Sequence, residues 1–152
     1  MKIFRIAKTN FIEDLSGEGA RLYGGRWNKP GDAVIYFSEH LSLCVLEILT
    51  RTEYQFLRSG FSYLEAEIPY PLIREIFKPA KIHLNWNIEP PNMETQMYGS
   101  NWLRSKKDLA ISIPSAVLPQ ESNVLVNPAH SLFSEIKIMR IAPLILDSRI
   151  IQ

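Results

Sequence analysis

Residues 33–51 read Ala33-Val34-Ile35-Tyr36-Phe37-Ser38-Glu39-His40-Leu41-Ser42-Leu43-Cys44-Val45-Leu46-Glu47-Ile48-Leu49-Thr50-Arg51. The first five form an unbroken apolar run of β-branched and aromatic types after a glycine-rich stretch, which predicts a buried strand. Ser38 is placed to cap a following helix that runs through Arg51. On a helical wheel Leu41, Leu43, Cys44, Val45, Leu46, Ile48 and Leu49 almost encircle the axis. A helix that is apolar all round is a buried one. A buried strand feeding a buried helix requires a mixed architecture, and the flanking sequence decides which kind.

Upstream, Lys2 to Ala7 reads as a first strand. Downstream, Leu64, Ala66 and Ile68 alternate with Glu65 and Glu67, a half-buried strand closed by Pro69. Pro79 to Pro91 reads as an irregular surface segment, Met97 to Lys107 as a helix, and Leu109 to Ile113 as a strand closed by Pro114. Ile136, Ile138 and the apolar end from Ile141 to Leu146 suggest further strands. Strands and helices mix without a regular βαβ rhythm, so the expected class is α+β, one compact domain over residues 1–152.

Composition supports one domain of ordinary globular balance: 152 residues, 46% hydrophobic and 22% charged. Lys and Arg number 17 against 16 Asp and Glu, a net charge of +1. Such a chain lacks the basic field of a dedicated nucleic-acid binder, so no direct nucleic-acid binding is expected. The single cysteine, Cys44, excludes an internal disulfide and any multi-cysteine zinc site, and is compatible with a reducing cytoplasm. No run approaches the ~20 apolar residues of a membrane span. The start, Met1-Lys2-Ile3-Phe4-Arg5-Ile6, carries charge inside its apolar stretch and does not read as a signal peptide.

Two places carry candidate chemistry. Five of the 7 glycines, Gly17, Gly19, Gly24, Gly25 and Gly31, fall within fifteen residues. Within that loop, Gly24-Gly25-Arg26-Trp27-Asn28 sets a glycine pair beside an arginine. This suits an anion, because the backbone can come close and the guanidinium can fork onto phosphate oxygens. It matches neither a Walker loop nor a dinucleotide fingerprint. The alternative is a tight turn with Arg26 paired to a carboxylate. The second place is Glu47, a carboxylate on an otherwise apolar helix, which needs a partner or a function. Its alternative is an exposed pair with Arg51 one turn on. Ser115, after Pro114, sits at a strand end, where a turn serine is the default. His40, His83 and His130 show no metal-ligand spacing, so no metal is expected. Trp27, Tyr36, Trp86 and Trp102 read first as core, though one could stack on a planar ring.

Taken in order, Gly24-Gly25-Arg26-Trp27-Asn28, Val34-Ile35-Tyr36, Leu46-Glu47, Trp102-Leu103, Ile113-Pro114-Ser115-Ala116-Val117, Asn127-Pro128-Ala129-His130 and Asp147-Ser148-Arg149 resemble the RES-domain family. That family is named for its arginine, glutamate and serine. The resemblance runs from about Arg5 to Arg149, nearly the full length. It departs at Ser131, where proline is expected. It implies a fold like that of the ADP-ribosyltransferase toxins and the role of toxin in a type II toxin–antitoxin pair. The implied partner is an Xre-like helix-turn-helix antitoxin, the implied site of action is the cytoplasm, and a homodimer is compatible with it. The implied activity is cleavage of the nicotinamide–ribose bond of NAD+, with inorganic phosphate as co-substrate or water as acceptor. Protein ADP-ribosylation and a non-catalytic antitoxin-binding role are the alternatives. NAD+ is then the substrate, and no resident cofactor is implied. The family arginine, tyrosine, glutamate and serine fall at Arg26, Tyr36, Glu47 and Ser115. Arg26, Glu47 and Ser115 are the implied catalytic residues, and all four are the implied NAD+ contacts.

Overall fold

The computed structural model describes residues 1–53, 56, 57 and 59–150; the last two residues of the expected 1–152 domain lie outside these. The chain folds as α+β. Among the described residues seven strands form one sheet: β1 (Lys2–Lys8), β2 (Ile35–Ser38), β3 (Phe61–Glu67), β4 (Ile73–Glu75), β5 (Ala110–Pro114), β6 (Ser122–Val126) and β7 (Lys137–Pro143). Their order is β4-β5-β6-β2-β1-β3-β7. Only β4 and β5 pair in parallel, and every other neighbour is antiparallel. Among the described residues three α-helices accompany the sheet: α1 (Glu18–Tyr23), α2 (Leu41–Leu49) and α3 (Met93–Ser105).

The period-two alternation of strands divides the core between the two faces of the sheet. On one face Ile35 and Phe37 of β2 join Ile3, Leu64, Val124 and Val126. On the other, Tyr36, Ile111, Ile113 and Leu125 pack with Trp27, Trp86, Trp102 and Leu103. A fully buried side chain such as Phe37 contributes about 1.5–3 kcal/mol. The tryptophans expected in the core are there: Trp27 and Trp86 stack with centroids 6.3 Å apart.

Four local expectations differ from the structure. Ser38 does not cap α2. It is the last residue of β2, and α2 begins at Leu41 with His40 as N-cap and no side-chain capping bond. Nor is α2 buried all round: Leu43 and Cys44 are buried, while Leu46 is 40% exposed. One short helix on a sheet has only one covered side, so its apolar circumference overstates its burial. The glycine-rich stretch holds a helix, α1, beside its turns, and two strands went unread: β4 has one apolar residue, Ile73, and β6 opens on the polar Ser122 and Asn123. Finally, Pro79 to Pro91 is irregular as expected but not a free surface segment. Trp86 pins it, at 9% exposure, onto Trp27 and the α3 face.

Candidate active site

The loop after α1 is built by cross-bracing. Gly24, at φ +70°, lies where L side chains are strained, and a Cβ there would meet Pro30 at 2.9 Å. Gly25 and Asn28 close a small antiparallel bridge. Asn28 is fully buried and its amide donates to the carbonyls of Ala20, Lys29 and Asp32 at 2.8, 3.2 and 3.0 Å. Its Oδ1 accepts from the Tyr36 hydroxyl at 2.9 Å, and that hydroxyl accepts from the Trp27 N–H at 3.1 Å. Burial pushes the Tyr36 phenol up to about 12, so it stays protonated and keeps this bond. The backbone N–H groups of Gly24, Gly25, Trp27, Lys29 and Gly31 are all spent inside the protein. The sequence suggested a glycine loop whose backbone greets an anion. What the structure offers an anion here is the Arg26 side chain.

Arg26 itself is half committed. Its Nη1 donates to the carbonyls of Trp86 and Ile88 at 3.0 and 2.6 Å, and its Nη2 donates to Glu89 at 3.1 Å. The first two bonds clamp the 79–91 segment over the loop. The third is a surface ion pair with a carboxylate that is 78% exposed, the kind of contact worth about 0–1 kcal/mol. Burial lowers the Arg26 pKa and Glu89 opposes that, and an arginine stays charged throughout. The Nε–H is free of any partner among the described residues. The alternative of a carboxylate partner for Arg26 is therefore met, by the exposed Glu89.

Glu47 does not pair with Arg51. Its Oε1 accepts from the Ser115 hydroxyl at 2.8 Å and from the Asn123 amide at 2.5 Å. Oε2 makes no hydrogen bond to a described residue. The Asn123 amide is itself oriented, because Ser38 donates to its Oδ1 at 2.6 Å from the register-paired position on β2. Ser115 is fully buried, and its oxygen also accepts from the N–H groups of Val117 and Leu118 at 3.0 and 3.1 Å. Two donors, one on β6 and one in the turn after β5, thus converge on one carboxylate oxygen, and the other accepts from no described residue. The junction that carries α2 is tied down beside this network. Glu39 accepts from the Ser122 N–H, and His40 lies 3.4 Å from Glu121.

Arg26, Tyr36 and Glu47 line one cavity of about 690 Å³, together with Trp27, Arg51, Gln96 and Asn123. That volume suits a nucleotide-sized ligand. Ser115 does not line it; its hydroxyl bonds the Glu47 carboxylate that does. Sequence reading missed Asn123, which sits on an unrecognised strand, and Gln96, whose amide holds the Gly25 carbonyl at 3.0 Å.

Residues 2–147 match the RES domain. The chain belongs to the RES domain family. A Sphingobium relative, the Prs ADP-ribosylating toxin, is 32% identical over 148 residues, covering 96% of this chain and 92% of its own. A toxin Res of Yersinia enterocolitica is 34% identical, covering 88% of each chain. In structure, the RES chain superposes on a chain of the M. tuberculosis MbcT–MbcA toxin–antitoxin complex with a TM-score of 0.73. That match has 17% identity and covers 94% of this chain and 83% of the other, so it speaks to the fold. Family and relatives make this RES protein a toxin.

Proposed function

We propose that this RES toxin cleaves the nicotinamide–ribose bond of NAD+, with inorganic phosphate as acceptor. One observation carries the reading: a carboxylate, Glu47, held through one oxygen and open through the other, in a nucleotide-sized cavity that also presents arginine and aromatic surface. Nicotinamide in NAD+ is already a cationic leaving group, so the step needs neither a metal nor a strong acid. As the bond breaks, the ribose gains oxocarbenium character, and a fixed carboxylate stabilises that charge without reorganising. Glu47 is the residue proposed to face the ribose. Tyr36 has its hydroxyl committed, so its contribution is the ring, as a wall for nicotinamide. Arg26 donates to a phosphate from the edge the clamp leaves unused. Ser115 and Asn123 position Glu47. NAD+ is an intracellular substrate, so the proposed action is cytoplasmic. Among the described residues no helix is long and apolar enough to cross a membrane. The proposed inhibitor is an Xre-like antitoxin, a reading supported by the toxin–antitoxin complex that shares the fold.

Purified protein incubated with NAD+, with and without millimolar phosphate, tests this directly. Phosphate is expected to accelerate NAD+ loss and to appear in ADP-ribose 1″-phosphate by mass spectrometry. Free ADP-ribose at equal rates with and without phosphate would assign water as acceptor. A second reading, transfer of ADP-ribose to a protein, is favoured by the Sphingobium relative. Growth arrest on expression with unchanged cellular NAD+ would select it.

Ser115→Ala is expected to reduce kcat about tenfold with little change in KM, because the carboxylate loses one of two positioning bonds while the cavity wall stays intact. The same change strands two backbone N–H groups, costing about 1–3 kcal/mol of stability. Steady-state kinetics and thermal melts on one preparation separate the two effects.

A further inference from the structure

Arg51 takes no part in the interactions that build the site. It follows α2 on a helical path, since the N–H groups of Arg51 and Thr52 both return to the carbonyl of Ile48, at 3.1 and 2.9 Å. It therefore stands one turn, about 6 Å along the axis, beyond Glu47. Its side chain lines the same cavity as Glu47 and Arg26 and makes no hydrogen bond or ion pair to any described residue. Its charge is felt at two groups across the cavity: it disfavours the charged state of Arg26 and favours ionisation of the Tyr36 phenol. Two guanidinium groups within reach of each other repel unless an anion sits between them. Arg26 has Glu89 as a weak counter-ion and has spent Nη1 on the 79–91 segment, whereas the Arg51 fork is unspent among the described residues.

We propose that Arg51 is the residue that reads the diphosphate of the substrate. Its planar fork donates to the phosphate oxygens, while Glu89 yields its place on Arg26 and Glu47 holds the ribose one helical turn away. The spacing fits the covalent order of NAD+, in which a single ribose separates the scissile bond from the first phosphate. Arg26 is then mainly the anchor of the 79–91 segment and the lesser phosphate contact. The inference deepens the NAD+ reading and rests on it.

The test compares NAD+ with nicotinamide riboside, which has the same scissile bond and the same ribose but no diphosphate. Arg51→Ala is expected to raise KM for NAD+ about 10- to 100-fold, the worth of a charge-assisted bond, with kcat changed far less. Cleavage of nicotinamide riboside should stay within about twofold of wild type. Arg51→Lys should recover only part of the loss, because lysine keeps the charge without the fork. A KM for NAD+ that is unchanged in Arg51→Ala, or an equal loss on both substrates, overturns the assignment. Binding of inorganic pyrophosphate, followed by calorimetry, is independent of turnover. Wild type should bind, and Arg51→Ala should bind at least about tenfold more weakly. Equal binding, or none by wild type, overturns the proposal. If wild type cleaves neither substrate, the NAD+ reading fails by itself, and the pyrophosphate arm still decides the role of Arg51.

Discussion

Replacing Glu47 by glutamine is expected to lower the rate of NAD+ cleavage about 1,000-fold, equivalent to about 4 kcal/mol of transition-state stabilisation, while the protein stays folded. The reason is geometric. Both hydrogen bonds that hold Glu47, from Ser115 and Asn123, end on Oε1. A glutamine carbonyl oxygen can accept both, so the side chain keeps its place. What is lost is the negative charge of the carboxylate that Ser115 and Asn123 hold in place, the charge proposed to offset a developing oxocarbenium. Single-turnover rates and a circular dichroism spectrum check this together. Wild-type turnover by a folded Glu47→Gln protein would remove Glu47 from the reaction.

The second large effect concerns the fold. Gly99 lies in α3 where the helix crosses the Arg26-Trp27 loop, and a Cβ there would stand 1.7 Å from the Trp27 carbonyl oxygen and 2.6 Å from its carbon. Those are backbone atoms, held by the Asn28 and Tyr36 bonds, so no flexible side chain can yield. Gly99→Ala is therefore expected to cost about 3 kcal/mol or more, against the roughly 1 kcal/mol that alanine otherwise gains in a helix. Gly19 is the internal control. It lies in α1 with nothing within 4 Å of a Cβ, so Gly19→Ala should be neutral or stabilising by up to about 1 kcal/mol. Urea denaturation of the two variants measures both. A Gly99→Ala protein as stable as wild type would mean that α3 does not press on the loop.

The same pair of sites shows where sequence reading succeeds and where it stops. Of the run Ala33 to Phe37, Ile35 to Phe37 was legible as a strand because these residues are β-branched or aromatic, while Ala33 and Val34 lie ahead of β2; Leu64 to Glu67 was legible because it alternates, with Ile68 just past the end of β3. The α+β class followed from the order of such segments. β6 was not legible: Ser122 and Asn123 open it with polar side chains, and only its pairing with β2 and β5 makes it a strand. Asn123 was lost with it. Ser38 was misread as a helix cap because serine at such a position is locally favourable there. Its actual partner, Asn123, is 85 residues away in sequence, and no local rule reaches that far.

By itself the sequence determined a single α+β domain, membership of the RES family through a chain of short motifs, and the anomaly of a carboxylate on an apolar helix. These are local or ordered properties, set by side-chain chemistry and its period along the chain. Only the tertiary structure decided that Glu47 bonds Ser115 and Asn123 rather than Arg51, that Ser115 is buried behind it, that Arg26 clamps the 79–91 segment, and that Arg51 lines the cavity with no bond to another described residue. The physical reason is that hydrogen bonds and charges are satisfied by whatever lies within a few ångströms in space, and the sheet order β5-β6-β2 brings together side chains that the sequence holds far apart.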